Sequence, residues 1–357
     1  MAVKPETLFT AADIERARRY NRPRYAALLL DGLLATAVLA VFALARPSLG
    51  LPWWLEAPLL TAIVLAASAV VRLPVAWWSG YLHEHRWRLS TQTPRGWLGD
   101  RAKAYAVGAV LAGGAMLGLV ALARAYPAAW AWGAAAGAAL LVLLLGFVAP
   151  IVLEPIFNRF EPLSDQELHA RLRELSVLAG APLREVLVAD ASRRTRRANA
   201  YVSGFGRTRR LVLFDTFLDA AGPREIEVVT AHELAHRRTR DPLKQTLLGM
   251  AAAAAGAVVL WLALGEDAGD SRNVPLALLV LGLLQLAALP AFAAISRRWE
   301  RAADRYALEL TGDPVAFESL FRRLATMNLA DLAPPRAVRL FLGTHPTVAE
   351  RIATVRE

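Results

Sequence analysis

The chain has 357 residues, 56% of them hydrophobic, with a mean hydropathy of +0.35, a formal net charge of +10 and no cysteine. So apolar a composition excludes an ordinary soluble enzyme and suits a membrane protein of several spans with a sizeable polar part. Without cysteine, disulfides and thiolate-held metal are excluded, and any zinc must rest on His, Asp or Glu.

Six apolar runs follow one another at about 25–45, 56–79, 104–123, 128–152, 245–265 and 274–295. Each has roughly the 20 residues that a helix needs to cross the hydrocarbon core. The first starts too late and is too long for a cleaved signal peptide. Lys and Arg alternate cleanly between the segments that join these runs. Residues 1–24, 80–103, 153–244 and 296–357 hold six, five, sixteen and ten, whereas the three other connections hold one each, Arg46, Arg124 and Arg272. This asymmetry places both termini and the long 153–244 segment in the cytoplasm. It also accounts for the net charge without nucleic acid, despite the basic stretch "SRRTRR" at 192–197. Few of the basic residues are Lys, a usage that fits a GC-rich bacterial genome and hence an inner (plasma) membrane location. Asp31 and Arg72 fall inside runs, where charges are expensive; they either pair or line a polar cavity.

Residues 153–244 predict mixed structure. An amphipathic helix over 163–180 has Ser164 placed to cap it and Glu167 at the capping-box position. Strands are expected at 185–190, 199–204 and 209–215, the last two joined by a turn at "GFGRT". A helix is expected from Pro223 to about Arg240. The final segment, 296–357, reads as helices broken at "TGDP" and "GTHP". The expected division is a membrane unit at 1–152 and a peptidase unit at 153–357, interrupted by the spans at 245–265 and 274–295.

The helix from Pro223 carries "AHELAH". At this spacing His232 and His236 lie one turn apart on one face and can reach one metal ion. Glu233, beside the first, can reach a water on that ion as general base and then protonate a leaving amine. A zinc hydrolase needs a third ligand. Glu266, Asp267 and Asp270 lie across the membrane, whereas Glu300 and Asp304 return to the same side on one helical face. Glu300 is therefore assigned as third ligand, and Asp304 as the carboxylate that accepts the free N–H of a ligating His. The oxyanion of peptide hydrolysis needs a donor, for which His345 is the best placed of the other histidines. Arg351 either braces the turn at His345 or binds substrate.

With these residues in place, the chain resembles the integral-membrane zinc CAAX prenyl proteases of type 1, in their bacterial form. The matching blocks are "YLHEHRWRLSTQT", "GWLGDRAK", "APIVLEPIFNRFEPL", "RANAYVSGFGRTRRLVLFDTFLD", "AHELAH", "SRRWERAADRYAL" and "THPTVAERI", in family order from about residue 10 to the C-terminus. The resemblance implies one zinc on His232, His236 and Glu300, a catalytic Glu233 and a thermolysin-like pairing of Glu300 with Asp304. It further implies an oxyanion role for His345 and an edge strand at Asn199 and Ala200 that receives the substrate backbone. The implied fold is mostly α, a polytopic helical membrane protein enclosing a chamber. A cytosolic zinc protease domain with a small sheet completes it. Eukaryotic members have seven spans, so either one is lost here or an amphipathic one escapes the hydropathy. The implied substrate is a peptide or protein, lipid-modified or otherwise membrane-associated, met at the lipid surface. An HtpX-like quality-control protease is the alternative in the same class, and a non-catalytic zinc-binding scaffold the alternative in another. The chain departs from the family at Ala235, where Gly is usual, and at Arg237 and Arg238, where uncharged or aromatic residues are more common.

Overall fold

The computed structural model describes residues 5–204 and 209–356. The chain is mostly helical, and six of its helices are long and apolar enough to cross a membrane. They comprise α1 (Ala11–Ala45), α2 (Trp53–Trp77) and α4 (Pro94–Ala125). The other three are α5 (Trp130–Val148), α10 (Asp241–Leu264) and α11 (Val274–Thr311). Through a π turn, α2 runs on into the short α3 (His83–Arg86), and in the same way α5 runs on into α6 (Glu154–Phe157). Among the described residues there is no seventh such helix.

Several of these helices outrun the bilayer, and that overhang builds the site. α1 has 35 residues and hence a length of about 52 Å, against a hydrocarbon core of about 30 Å. It starts at a capping box in which Thr10 Oγ accepts from the Asp13 amide at 3.1 Å and Asp13 accepts from the Thr10 amide at 3.2 Å. Leu8, Phe9 and Ala17 at its foot are buried in the same core as the strands and helices of the polar part. The 38 residues of α11 likewise span the membrane and then carry Glu300 and Asp304 into that core.

At the opposite end the three arginine-poor connections sit together. Glu56 accepts from Ser48 Oγ at 2.8 Å, from the Leu49 amide at 2.6 Å and from Ser271 Oγ. Arg46 pairs with Asp270 at 3.6 Å. Glu266, Asp267 and Asp270 are thus far from the two histidines, as expected.

The polar part is a four-stranded sheet backed by helices. Its strands are β1 (Phe160–Pro162), β2 (Glu185–Ala189), β3 (Ala200–Ser203) and β4 (Arg210–Phe214), in the order β1-β2-β4-β3. β2 and β4 are parallel and the outer two pairings antiparallel, so β3 is an edge. Side chains alternate between faces. Val186, Leu211 and Leu213 enter the main core, whereas Leu187, Ala189 and Val212 pack on the other face with Phe160 and Tyr201. The main core is closed by α7 (Gln166–Leu178), the short α8 (Asp215–Leu218), α9 (Pro223–Arg238) and α12 (Pro314–Met327). Two further short helices follow, α13 (Arg336–Phe341) and α14 (Val348–Ala353).

Local departures from expectation are small. α7 is capped by Asp165, not Ser164: the Asp165 carboxylate accepts from the Leu168 amide at 3.0 Å, the stronger acceptor winning one residue later. β1 was not foreseen, since three residues containing a proline give no periodic signal. The expected turn at 204–208 lies largely outside the described residues. Of the arginines in 192–197, Arg193 pairs with Asp190 at 3.2 Å and Arg197 with Glu84 at 2.9 Å, and Arg194 bonds the Asn158 side chain. This stretch is therefore an internal seam to residues 84–100.

Candidate metal centre

α9 starts at Gly222, with Pro223 in its first turn and Glu225 returning to accept from the Gly222 amide at 2.9 Å. Glu225 also accepts from Ser319 Oγ at 2.6 Å and Arg323 Nε at 2.9 Å, which ties the helix to α12. Those three bonds outweigh the cost of burial and hold its carboxyl below the usual range. Buried Ile226, Val228, Ala231, Leu234 and Ala235 lock the rest of the helix in the core.

On this fixed helix His232 and His236 point their Nε2 atoms at one spot, 3.3 Å apart. Glu300 arrives from α11, its Oε2 at 3.3 Å from His232 Nε2 and its Oε1 at 3.4 Å from His236 Nε2. Zinc with bonds of about 2.0–2.1 Å in a tetrahedron keeps neighbouring donor atoms roughly 3.3–3.4 Å apart. The two imidazole nitrogens stand at that spacing from each other, and each has a different Glu300 oxygen at that spacing, so the three side chains converge as ligands of one ion would. They form the one group of three or more metal-ligating side chains among the described residues. Glu300 Oε2 is buried without a hydrogen-bond partner among those residues, an orphan that a cation would satisfy.

The outer atoms of both imidazoles are held too. His232 Nδ1 lies 3.0 Å from Asp304 Oδ1, and His236 Nδ1 lies 3.0 Å from Asp241 Oδ2. Each carboxylate takes the Nδ1 proton and leaves Nε2 free to bind metal. Asp304 was expected in this place. Asp241 was not, because it comes from the next helix: Arg240, in the left-handed region at φ 59°, reverses the chain between α9 and α10 and returns Asp241 under His236. The pair "DP" directly after a histidine helix was the available signal.

Burial opposes protonation of His232 and His236, but the surrounding carboxylates outweigh it. They hold His232 above its usual value and His236 at about 10. The pocket thus favours positive charge, and a divalent ion would take the place of those protons. Glu233 opens toward the cavity, yet protein encloses its carboxyl. That desolvation raises its pKa against the pull of His232 and His236.

His345 stands opposite, exposed to the cavity, with Nε2 at 3.4 Å from Glu300 Oε1 and Nδ1 at 2.9 Å from Thr344 Oγ. Its turn is tight. A Cβ on Gly343 would meet the Arg339 carbonyl at 2.7 Å, closer than any side chain tolerates. After it, α14 is capped by Thr347 and Glu350 and presents Arg351. Arg351 Nε donates to Asp304 Oδ2 at 2.9 Å. Its ion pair is thus with Asp304 and not with the turn at His345, and the same side chain lines the cavity.

That cavity is about 520 Å³ and is lined by His232, Glu233, His345, Arg351, Asn199 and Ala200, among others. Asn199, Ala200, His345 and Arg351 thus share a cavity with His232 and Glu233, while His236, Glu300 and Asp304 pack against His232 or its partners outside the lining. A second cavity of about 510 Å³ shares Tyr25 and Leu342 with the first. Asp31 and Arg72 line it and also pair with each other, Arg72 Nε donating at 2.9 Å, so both expected readings of these charges hold at once.

Residues 162–357 match the family model of peptidase family M48, and residues 4–159 match the model described as CAAX prenyl protease N-terminal, five membrane helices. Within the latter stretch the described residues hold four helices long and apolar enough to span. The chain is 30% identical over 301 residues to the uncharacterized metalloprotease YhfN of Bacillus subtilis, covering 80% of this chain and 70% of that one. It is 29% identical over 175 residues to CAAX prenyl protease 1 of Saccharomyces cerevisiae, covering 49% and 39%. Its backbone superposes on the crystal structure of S. mikatae Ste24p with a TM-score of 0.81 at 20% identity, covering 97% of this chain and 89% of that one.

Proposed function

The chain belongs to peptidase family M48, and from that premise we propose that it is a zinc endopeptidase acting on membrane-associated peptides. It is a metalloprotease and an integral membrane protein. The observation that supports the zinc assignment is the convergence of His232 Nε2 and His236 Nε2, 3.3 Å apart, on the Glu300 carboxylate, one oxygen of which lies 3.3–3.4 Å from each. Zinc held by these three would supply a Lewis acid that makes water nucleophilic at neutral pH and polarises the scissile carbonyl. Glu233 then takes the proton from the attacking water and delivers it to the leaving amine. Its raised pKa suits both duties. His345 faces the growing oxyanion as hydrogen-bond donor. Asp304, Asp241 and Arg351 hold the two imidazoles in the tautomer that this work needs. Ala200, on the edge strand beside Glu233, takes the substrate main chain by strand addition, and the Asn199 side chain lines the same groove.

The functional division runs with this chemistry. Residues 1–152 are the membrane unit, and 153–357 the peptidase unit with two spans inserted. The charge asymmetry supports a site and termini on the cytoplasmic side of the plasma membrane. The likeness to CAAX prenyl protease 1 and the site's place where spans meet the polar core favour a lipid-modified peptide tail as substrate.

The test uses purified wild type and Glu233→Ala in detergent, with bound zinc measured and a farnesylated and an unmodified peptide offered. Wild type is expected to cut the farnesylated peptide faster; the variant retains zinc and loses at least about a thousand-fold in turnover. Equal rates for wild type and variant would remove Glu233 from its role. Equal cutting of the two peptides would remove the lipid from recognition.

A further inference from the structure

The edge strand is blocked on both sides of Ala200. The Phe214 amide donates to the Asn199 carbonyl at 3.0 Å. Alternate residues of an antiparallel strand turn their main-chain groups to opposite sides. Asn199, Tyr201 and Ser203 therefore face β4, and Ala198, Ala200 and Val202 turn theirs outward, toward any incoming strand.

Of these three outward positions two are already satisfied. At Ala198 the Asn328 side chain takes both groups, its Oδ1 accepting from the amide at 2.9 Å and its Nδ2 donating to the carbonyl at 3.0 Å. At Val202 the catalytic helix does so. Arg237 donates to the Val202 carbonyl at 2.6 Å, and the Glu233 carboxylate faces the Val202 amide, which lowers its pKa against the effect of burial. Glu233 and Arg237 are one turn apart on α9, so one helix face covers the outward amide and carbonyl of one residue, Val202. Only Ala200 keeps an outward amide and carbonyl without a partner among the described residues.

We propose that Asn328 and Arg237 bound a docking window one residue wide, and that Arg237 is a positioning residue that sets Glu233 through Val202. This rests on the reading of β3 as the strand that receives substrate. A peptide then gains one reciprocal pair of main-chain bonds, to Ala200, instead of a ladder. Most of its affinity and selectivity must come from side-chain contacts in the 520 Å³ cavity. Arg237 is also a residue at which this chain departs from the pattern it otherwise resembles. A wider window is therefore expected in a relative with an apolar residue there.

The experiment is a backbone N-methyl scan of a cleavable peptide. Each methylated peptide is used as a competitive inhibitor of reporter cleavage by the intact zinc-loaded protein in detergent. The expected result for wild type is one sensitive amide, whose methylation weakens inhibition about ten-fold, as for one lost hydrogen bond. The amides two residues to either side are insensitive. In Arg237→Met, which keeps the stem and removes the donor, a second amide two residues along becomes sensitive. Its kcat falls roughly ten-fold with KM and bound zinc little changed, because Val202, which faces Glu233, is no longer held from its carbonyl side. Arg237→Lys, which keeps one donor, restores the single-amide pattern. Two or more alternating sensitive amides in wild type would overturn the window, as would an unchanged pattern in Arg237→Met. If Arg237→Met does not fold, the wild-type scan and Arg237→Lys still decide. No sensitive amide at all would instead overturn strand addition itself.

Discussion

At the metal centre Asp241 holds the outer nitrogen of His236 at 3.0 Å, from the helix that follows the one carrying the histidine. His232, His236 and Glu233 are legible because their spacing along one helix is fixed by the chain itself. Asp304 is legible for the same reason, standing one turn from Glu300. Asp241 depends on a reversal at Arg240 that no periodicity announces, and Asn328 meets Ala198 across 130 residues. Asp241 touches a candidate ligand and Asn328 the edge strand beside it. Asp241→Asn is expected to weaken zinc binding about 10- to 100-fold, because the amide can present the wrong end to His236 Nδ1 and leave it free to flip. Competition against a fluorescent chelator measures this. Unchanged affinity would mean that the Asp241 contact does not orient the ring.

At the scale of elements, the long helices do two jobs. α11 and the pair α9–α10 are each part span and part site, so membrane embedding and metal geometry share the same rods. Hydropathy marks all six apolar runs but not where each helix ends, because the basic overhangs that prolong α1 and α11 are as polar as the segments beyond them. The join between α9 and α12 is a buried carboxylate latch at Glu225. Its folded pKa is depressed, so its contribution is complete above the ordinary glutamate value of about 4.3 and is lost as pH falls through the lower folded value. Glu225→Ala is expected to cost roughly 2–3 kcal/mol, leaving Ser319 and Arg323 without their acceptor. Thermal unfolding in detergent at pH 7 and at pH 3.5 checks it. The gap between wild type and variant should be large at neutral pH and smaller in acid. An equal gap at both would exclude the latch as the titrating contact.

For the molecule as a whole, the sheet and core that position the site were only partly legible. The strands at 185–189 and 210–214 came from their apolar pattern, but the strand order, which makes β3 an edge, is set by contacts distant in sequence. The two adjoining cavities likewise follow from tertiary packing alone. Asp31 and Arg72 tie α1 to α2 at the wall of the second cavity. Asp31→Asn is expected to lower the melting temperature by several degrees by leaving a guanidinium unpaired within the spans. Asp31→Asn with Arg72→Gln should recover most of that loss. Strictly additive losses would mean that the pair is not coupled.

The proposed peptidase depends on a single zinc held by two imidazoles and one carboxylate. Stripping the purified protein with a chelator and titrating zinc back while following peptide cleavage tests it directly. No cleavage is expected in the stripped protein, with activity rising in proportion to added zinc and levelling at one ion per chain. Cleavage that survives complete zinc removal, or that never returns with zinc while the fold is intact, would contradict it.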